Sequence, residues 1–136
     1  MGRCGAEVLR LLLDTHALVW WLENSASLSR IVDEAIRNPA NEVYISPVSA
    51  FEIAQKHRLG KLPSVARLAT DFDANIAEED FERLAISTAE ARLAGAMVHT
   101  HRDPFDRLLI AQALLGELIL ISNERLFDDF GVKRLW

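Results

Sequence analysis

Short apolar runs alternate with longer amphipathic runs along this chain, and the alternation predicts an α/β fold. Apolar runs of about four to eight residues are typical of buried strands, and a period near 3.6 is typical of helices. Strands that alternate with helices form a parallel sheet covered on both faces. We therefore expect a three-layer α/β/α domain with a central, mainly parallel sheet. The predicted strands are 8–13, 42–45, 81–86, 117–121 and 132–135.

Capping residues set the predicted helix boundaries. The predicted helices are 15–23, 28–37, 47–58, 63–76, 88–98 and 104–115, with a turn and short helix at 123–130. Serine and aspartate favour the N-cap, and proline favours the first helical position. These rules assign N-caps to Ser27, Ser46, Ser87 and Asp103. We expect residues 1–7 to be a flexible leader and residues 8–136 to form a single domain.

Length, charge and cysteine content limit the classes of protein to which this chain can belong. A chain of 136 residues is typical of one domain. Its net charge of −5 is unusual for a nucleic-acid binder, unless a bound divalent cation reverses the local charge. Cys4 is the only cysteine, which excludes an internal disulfide and a cysteine zinc site and suits a reducing cytoplasm. No run reaches the roughly 18 apolar residues of a membrane span, so we expect no membrane contact.

Four acidic residues are predicted to meet at one edge of the sheet. Asp14 ends the first strand, and ligands of open α/β sheets bind at the carboxyl ends of the strands. A helix that follows a strand begins at this edge, and so does an antiparallel helix that precedes one. Glu52 and Asp106 lie near two such helix starts, and Glu124 follows the fourth strand. Element order therefore brings all four carboxylates together.

Each of these acids also has a plainer interpretation. Glu52 precedes Lys56 by four residues, which is the favoured order for a surface ion pair. Asp106 suits the helix dipole, although Asp103 already occupies the cap. Glu124 resembles an ordinary turn acid. The hydroxyls of Thr15 and Ser122 could hold a metal-bound water or cap turns. His101 and Arg102 could contact a phosphate or lie in a solvated loop.

Carboxylates brought together must be neutralised, because burying them unpaired is costly. The nearby cations in the sequence are Lys56, Arg107 and Arg125. A hard divalent ion is the other solution, and ligation by oxygen alone suits Mg²⁺ or Mn²⁺. Such a site suits phosphodiester hydrolysis, because the ion lowers the pKa of a water and stabilises the leaving oxygen.

The order and spacing of four motifs resemble the PIN-domain family, and closely its VapC-type toxins from bacterial toxin–antitoxin pairs. The resemblance covers about residues 9–136. It implies an α/β/α domain, Mg²⁺- or Mn²⁺-dependent endoribonuclease activity, a homodimer, and a cognate antitoxin that wraps the toxin and blocks the site. The motifs are LLLDTHALVWWL, SPVSAFEIAQKHRLGKL, HRDPFDRLLIAQA and LILISNERLFDDFGVKRLW.

The resemblance assigns the acids one by one. The family's first three acids fall on Asp14, Glu52 and Asp106, which we expect to be catalytic and to bind the metal. The fourth, usually an aspartate, falls on Glu124, whose longer side chain moves the carboxylate by about one C–C bond. The residues that we expect to contact substrate are Thr15, His101, Arg107 and Ser122.

Three other interpretations stay open. The segment HTHRD, with His99, His101 and Asp103, resembles part of a zinc-hydrolase motif but lacks its later histidines. Asp14-Thr15 resembles the start of an aspartyl-phosphatase motif, although the second acid is replaced by His16. The third alternative is a non-catalytic metal- or peptide-binding module, with a hydrophobic groove formed by Trp20, Trp21 and Phe51.

Overall fold

The computed structural model describes residues 7–61 and 66–136, which form a five-stranded sheet between helices. The strand order is β3-β2-β1-β4-β5, and every neighbouring pair is parallel. This confirms the predicted α/β/α class with a parallel sheet. The strands are β1 (Arg10–Leu13), β2 (Glu42–Ile45), β3 (Glu82–Arg83), β4 (Ile119–Ile121) and β5 (Lys133–Leu135).

Helices cover both faces of the sheet. Successive residues of a strand point to opposite faces. Accordingly, Leu11 and Leu13 pack into one hydrophobic core with Leu18, whereas Leu12 packs into the other with Ile110. The helices are α1 (Thr15–Leu22), α2 (Arg30–Arg37), α3 (Pro47–Arg58), α4 (Ala66–Thr70), α5 (Phe72–Glu78), α6 (Thr88–Ala96) and α7 (Pro104–Gly116), followed by a 3₁₀ helix (Arg125–Phe130).

Most predicted caps are confirmed, and one is wrong. The side chains of Ser46, Ser87 and Asp103 accept hydrogen bonds from the first turns of α3, α6 and α7. The cap of α2 is Ser29 instead of Ser27, and its Oγ accepts from the Val32 N–H at 3.2 Å. The N–H of Ser27 donates to Ser25 Oγ at 3.1 Å, so the chain is still turning at residue 27.

Two further predictions need correction. In its described part, the helix predicted at 63–76 is two helices, α4 and α5, which meet at Asp71 with φ −141° and ψ 56°. Thr70 bonds back to the Ala66 carbonyl at 3.2 Å, and both Thr70 and Asp71 have low helix propensity. The third strand is shorter than predicted: it covers Glu82–Arg83 at the edge of the sheet, where it pairs with the last two residues of β2.

Some predictions fall on residues outside the described part of the chain. The leader predicted at 1–7 lies there except for Glu7, and the start of the helix predicted at 63–76 lies there up to residue 65. Both therefore stay predictions. Within the described ranges, no helix combines the length and apolar character needed to cross a membrane.

Candidate acidic site

The carboxyl edge of the sheet carries a cavity of about 120 Å³ that holds all four predicted acids. The residue that follows β1, the helices α3 and α7, and the turn after β4 each contribute one of these acids, as the element order predicts. The cavity is thus built from segments that are distant in sequence. Its lining residues are Asp14, Thr15, His16, Glu52, Lys56, Asp103, Asp106, Leu109 and Glu124.

Asp14 is the most buried of the four acids, with 6% of its surface exposed. Its N–H donates to the Ile121 carbonyl at 3.1 Å, which joins the ends of β1 and β4. Its Oδ1 caps α1 by accepting from the Ala17 N–H at 2.8 Å. Burial raises the pKa of Asp14 to about 6, against the opposing effect of hydrogen bonds from Ser122 and Ala17. The carboxylate is therefore held in a place that disfavours its negative charge.

Glu52 is hydrogen-bonded to α1. Thr15 Oγ1 donates to Glu52 Oε1 at 2.5 Å and lies 2.9 Å from the hydroxyl oxygen of buried Ser49. Thr15 therefore orients an acid 37 positions away in the sequence. The alternative interpretation of Glu52, an ion pair with Lys56, is not seen between these described residues, and Lys56 lines the cavity as a separate cation.

Asp106 is half-buried in the first turn of α7, where His101 is its partner. His101 Nε2 lies 2.8 Å from Asp106 Oδ2. Burial is the main cause that raises the pKa of Asp106, and the negative charges of Asp103 and Glu124 add to it. Asp103 is both a cap, accepting from the Phe105 N–H at 2.9 Å, and part of the cavity wall.

Glu124 links the acids electrostatically. Its negative charge raises the pKa of both Asp14 and Asp106. Its backbone N–H donates to Ser122 Oγ at 3.1 Å, so the turn after β4 is fixed beside Asp14. Asp14 and Asp106, from two other segments, each lie near enough to Glu124 to be repelled by it, which favours the binding of a cation among these acids.

Arg107 lies beside the site but is engaged elsewhere. Its guanidinium donates to four backbone carbonyls at 2.8–3.0 Å, which leaves little of its donor capacity for a substrate or for the acids. We therefore give it a structural role and leave it out of the substrate-contacting residues. The carbonyls belong to Ala94, Met97, His99 and His101.

Sequence reasoning gave no site role to His16 or Ser49, and it treated Lys56 only as a counter-charge. His16 and Lys56 line the cavity, and Ser49 bonds to Thr15 behind Glu52. Helical spacing could have indicated two of these residues, Ser49 and Lys56. Residues three or four apart share a helix face, so Ser49 and Lys56 both fall beside Glu52.

The chemistry of the donors fits a hard divalent cation, because the four acids supply only oxygen. In the described part of the chain, however, no three His, Cys, Asp or Glu side chains are arranged to hold an ion as they stand. Glu52 is turned toward Thr15, and Asp106 toward His101. These side chains must rotate about their own bonds before they can share an ion.

The zinc interpretation of the segment HTHRD gains no support from this geometry. His99 Nδ1 accepts from the His101 N–H at 3.0 Å, which ties the first histidine to the loop backbone. His101 is bonded to Asp106. Within the described residues, the histidines and acids of this loop form no metal-binding group.

Comparison with known proteins gives one family. The sequence model of the PIN domain family matches residues 11–133. The match covers most of the chain and includes all four acids of the cavity. A comparison with curated protein sequences finds no match.

Several solved structures share the fold. DNA-bound VapBC from Salmonella typhimurium is 22% identical, with a TM-score of 0.64, over 94% of this chain and 98% of that chain. VapBC2 from Rickettsia felis, bound to a promoter DNA fragment, is 15% identical, with a TM-score of 0.64, over 94% and 99%. A toxin–antitoxin complex from Klebsiella pneumoniae is 20% identical, with a TM-score of 0.56, over 84% and 86%. At these identities the similarity is one of fold.

Proposed function

This chain belongs to the PIN domain family, and from that premise we propose that it is a Mg²⁺- or Mn²⁺-dependent endoribonuclease that hydrolyses RNA phosphodiester bonds at the acidic cavity. The observation that carries the proposal is the environment of Asp14. This carboxylate is buried beside other acids, and its pKa is raised to about 6. A negative charge is costly to bury, and a bound cation would offset that cost.

Asp14, Glu52 and Asp106 would hold the metal, and Glu124 would complete the set. When bound, the divalent ion supplies positive charge to the phosphodiester and lowers the pKa of the attacking water. In the hydrolysis, the water oxygen forms a bond to phosphorus, one bridging P–O bond breaks, and the leaving oxygen takes a proton. The fold holds these carboxylates close together at the carboxyl edge of the sheet.

The neighbouring polar residues orient these acids. Thr15 holds Glu52, His101 holds Asp106, and Ser122 donates to Asp14. Lys56 lines the same cavity and offers a cation for a phosphate oxygen. We propose that Thr15, His101 and Ser122 contact the substrate only after the acids turn toward the metal.

We also propose a biological setting. The neighbours of this fold include VapBC proteins and a complex described as toxin–antitoxin, which supports a VapC-type toxin role. In that role the chain would act in the cytoplasm as a homodimer, and a cognate antitoxin would block the acidic cavity.

The test is cleavage of RNA by the purified chain, freed of any bound partner. We expect single-stranded RNA to be cut in Mg²⁺ or Mn²⁺, and the cutting to stop when a chelator is added. Asp14→Asn should reduce cleavage to the chelator baseline, because it removes a ligand but keeps an N-cap acceptor.

The matched control is Asp73→Asn, which alters an exposed acid paired with Arg83 outside the cavity. It should cut as fast as the wild type. Intact RNA in every lane, or equal cleavage by Asp14→Asn and wild type, would contradict the nuclease proposal and favour the non-catalytic metal- or peptide-binding module.

A further inference from the structure

An aromatic pair stands beside the acidic cavity. Phe51 on α3 and Phe105 on α7 have ring centroids 4.8 Å apart and ring planes inclined by 33°. Each immediately precedes a cavity acid, Glu52 or Asp106. Adjacent helical residues point about 100° apart. The two acids line the cavity and the two rings do not, so the aromatic pair lies next to the acids but outside the cavity itself.

The pair is only partly buried. Phe105 packs against the core beneath α7, whereas Phe51 leaves 52% of its surface exposed. Phenylalanine lacks a polar atom, so this exposure contributes nothing to stability in water. An anchored ring that supports an exposed one provides a rigid aromatic surface next to a site for phosphate chemistry.

We propose that the Phe51–Phe105 pair is a stacking platform for an unpaired base of single-stranded RNA, next to the phosphodiester that is cut. This inference rests on the proposed ribonuclease function and adds the residues that would hold a base of the single-stranded substrate. Unpaired bases stack on aromatic side chains with little sequence preference, whereas the bases of a duplex are already stacked on one another. The platform therefore selects single strands.

A positive charge in the cavity wall is consistent with a strand of RNA as the ligand. Lys56 follows Phe51 by five residues on α3 and lines the cavity. Among the residues that the structure describes, it forms no ion pair. A strand whose base lies on Phe51 would bring its phosphate toward this ammonium group and the acid-bound cation. The combination of an aromatic face with a cation is how sequence-tolerant single-strand sites are built.

The test measures binding of a short single-stranded RNA that carries 2-aminopurine, whose fluorescence is quenched on stacking. Binding is measured with the otherwise unsubstituted protein in Ca²⁺, a hard cation that carboxylate oxygens also bind, and gel analysis checks that the probe stays intact. We expect Phe51→Ala to weaken binding about tenfold and to abolish the quenching. Phe51→Trp should retain both, whereas Phe51→Leu should lose the quenching.

Leu115→Ala is the matched control. Leu115 is also 52% exposed but lies about ten residues further along α7, roughly 15 Å from Phe105. It should bind and quench like the unsubstituted protein. A hairpin duplex of the same sequence should bind more weakly than the single strand and should not be quenched.

Each outcome separates the two proposals. Binding and quenching that depend on Phe51, without cleavage by the wild type, support the platform and overturn the nuclease. Cleavage by the wild type with equal binding by Phe51→Ala overturns the platform alone, and no RNA binding at all overturns both. If Phe51→Ala changes only the oligomeric state in sedimentation, the pair is an interface between copies and the inference is wrong.

Discussion

The Thr15 hydroxyl donates a 2.5 Å hydrogen bond to Glu52 Oε1, which joins the first turn of α1 to the middle of α3 across 37 positions of sequence. The same hydroxyl oxygen lies 2.9 Å from Ser49 Oγ. Thr15 and Ser49 are both buried. The Thr15 hydroxyl is therefore the hydrogen-bond partner of Ser49 and orients Glu52, and its removal leaves both residues without this partner.

Thr15→Val should destabilise the protein by about 1–2 kcal/mol, because it removes the hydroxyl but keeps the shape and leaves Ser49 without this partner. Equilibrium urea unfolding measures the change. The control is Thr70→Val, since the exposed Thr70 hydroxyl donates, among the described residues, to carbonyls of its own helix. It should stay within about 0.5 kcal/mol of the wild type. Equal losses for the two variants would contradict a special role for Thr15.

Asp14→Asn should stabilise the metal-free protein at pH 8 by about 3 kcal/mol. The folded pKa of about 6 lies above the ordinary value of 3.8, so the folded state binds this proton more tightly. The stability that the protonated acid contributes is complete below pH 3.8 and is lost as the pH rises through about 6. Asparagine has no such loss and can still cap α1.

The measurement for Asp14 is urea unfolding of both proteins in a chelator between pH 4 and pH 8. The difference between them should be near zero at the acid end and should grow until about pH 6, beyond which it levels off. A constant difference across this range would show that the Asp14 carboxylate is not perturbed by burial.

The position of the acids could be predicted from the sequence because local signals determine it. Asp14 lies where an apolar run ends, and Asp106 follows a strong cap with proline at the first helical position. These signals need no knowledge of distant contacts. Element order then places both residues at the carboxyl edge of the sheet.

The directions of the side chains could not be predicted in this way. Glu52 has Lys56 at a favourable spacing, yet it bonds to Thr15, which is distant in sequence. Nothing in the sequence around Arg107 indicates which backbone carbonyls its guanidinium contacts, yet it donates to four of them. Such choices depend on which segments pack together. Local rules also failed at α2, because Ser27 and Ser29 have equal capping propensity and the helix begins after Ser29.

Mg²⁺ should raise the unfolding temperature of the wild type but not that of Asp106→Asn. A ligand present at about ten times its Kd adds roughly 1.4 kcal/mol, or a shift of several degrees for a domain of this size. Without metal, Asp106→Asn should melt at the wild-type temperature or above it, because burial and neighbouring acids disfavour this carboxylate. A clear fall in its metal-free melting temperature would show instead that Asp106 acts mainly through its bond to His101.

Arg107→Met should loosen the loop between α6 and α7 and destabilise the protein by about 2–4 kcal/mol, because it removes four charge-assisted hydrogen bonds to carbonyls. Trypsin gives a local measurement, since Arg102 lies exposed in this loop. Cleavage after Arg102 should be faster in the variant than in the wild type. The control is Arg92→Met on α6, which removes an exposed arginine and should leave both stability and cleavage unchanged. Equal cleavage of Arg107→Met and wild type would mean that the loop holds its shape without the guanidinium.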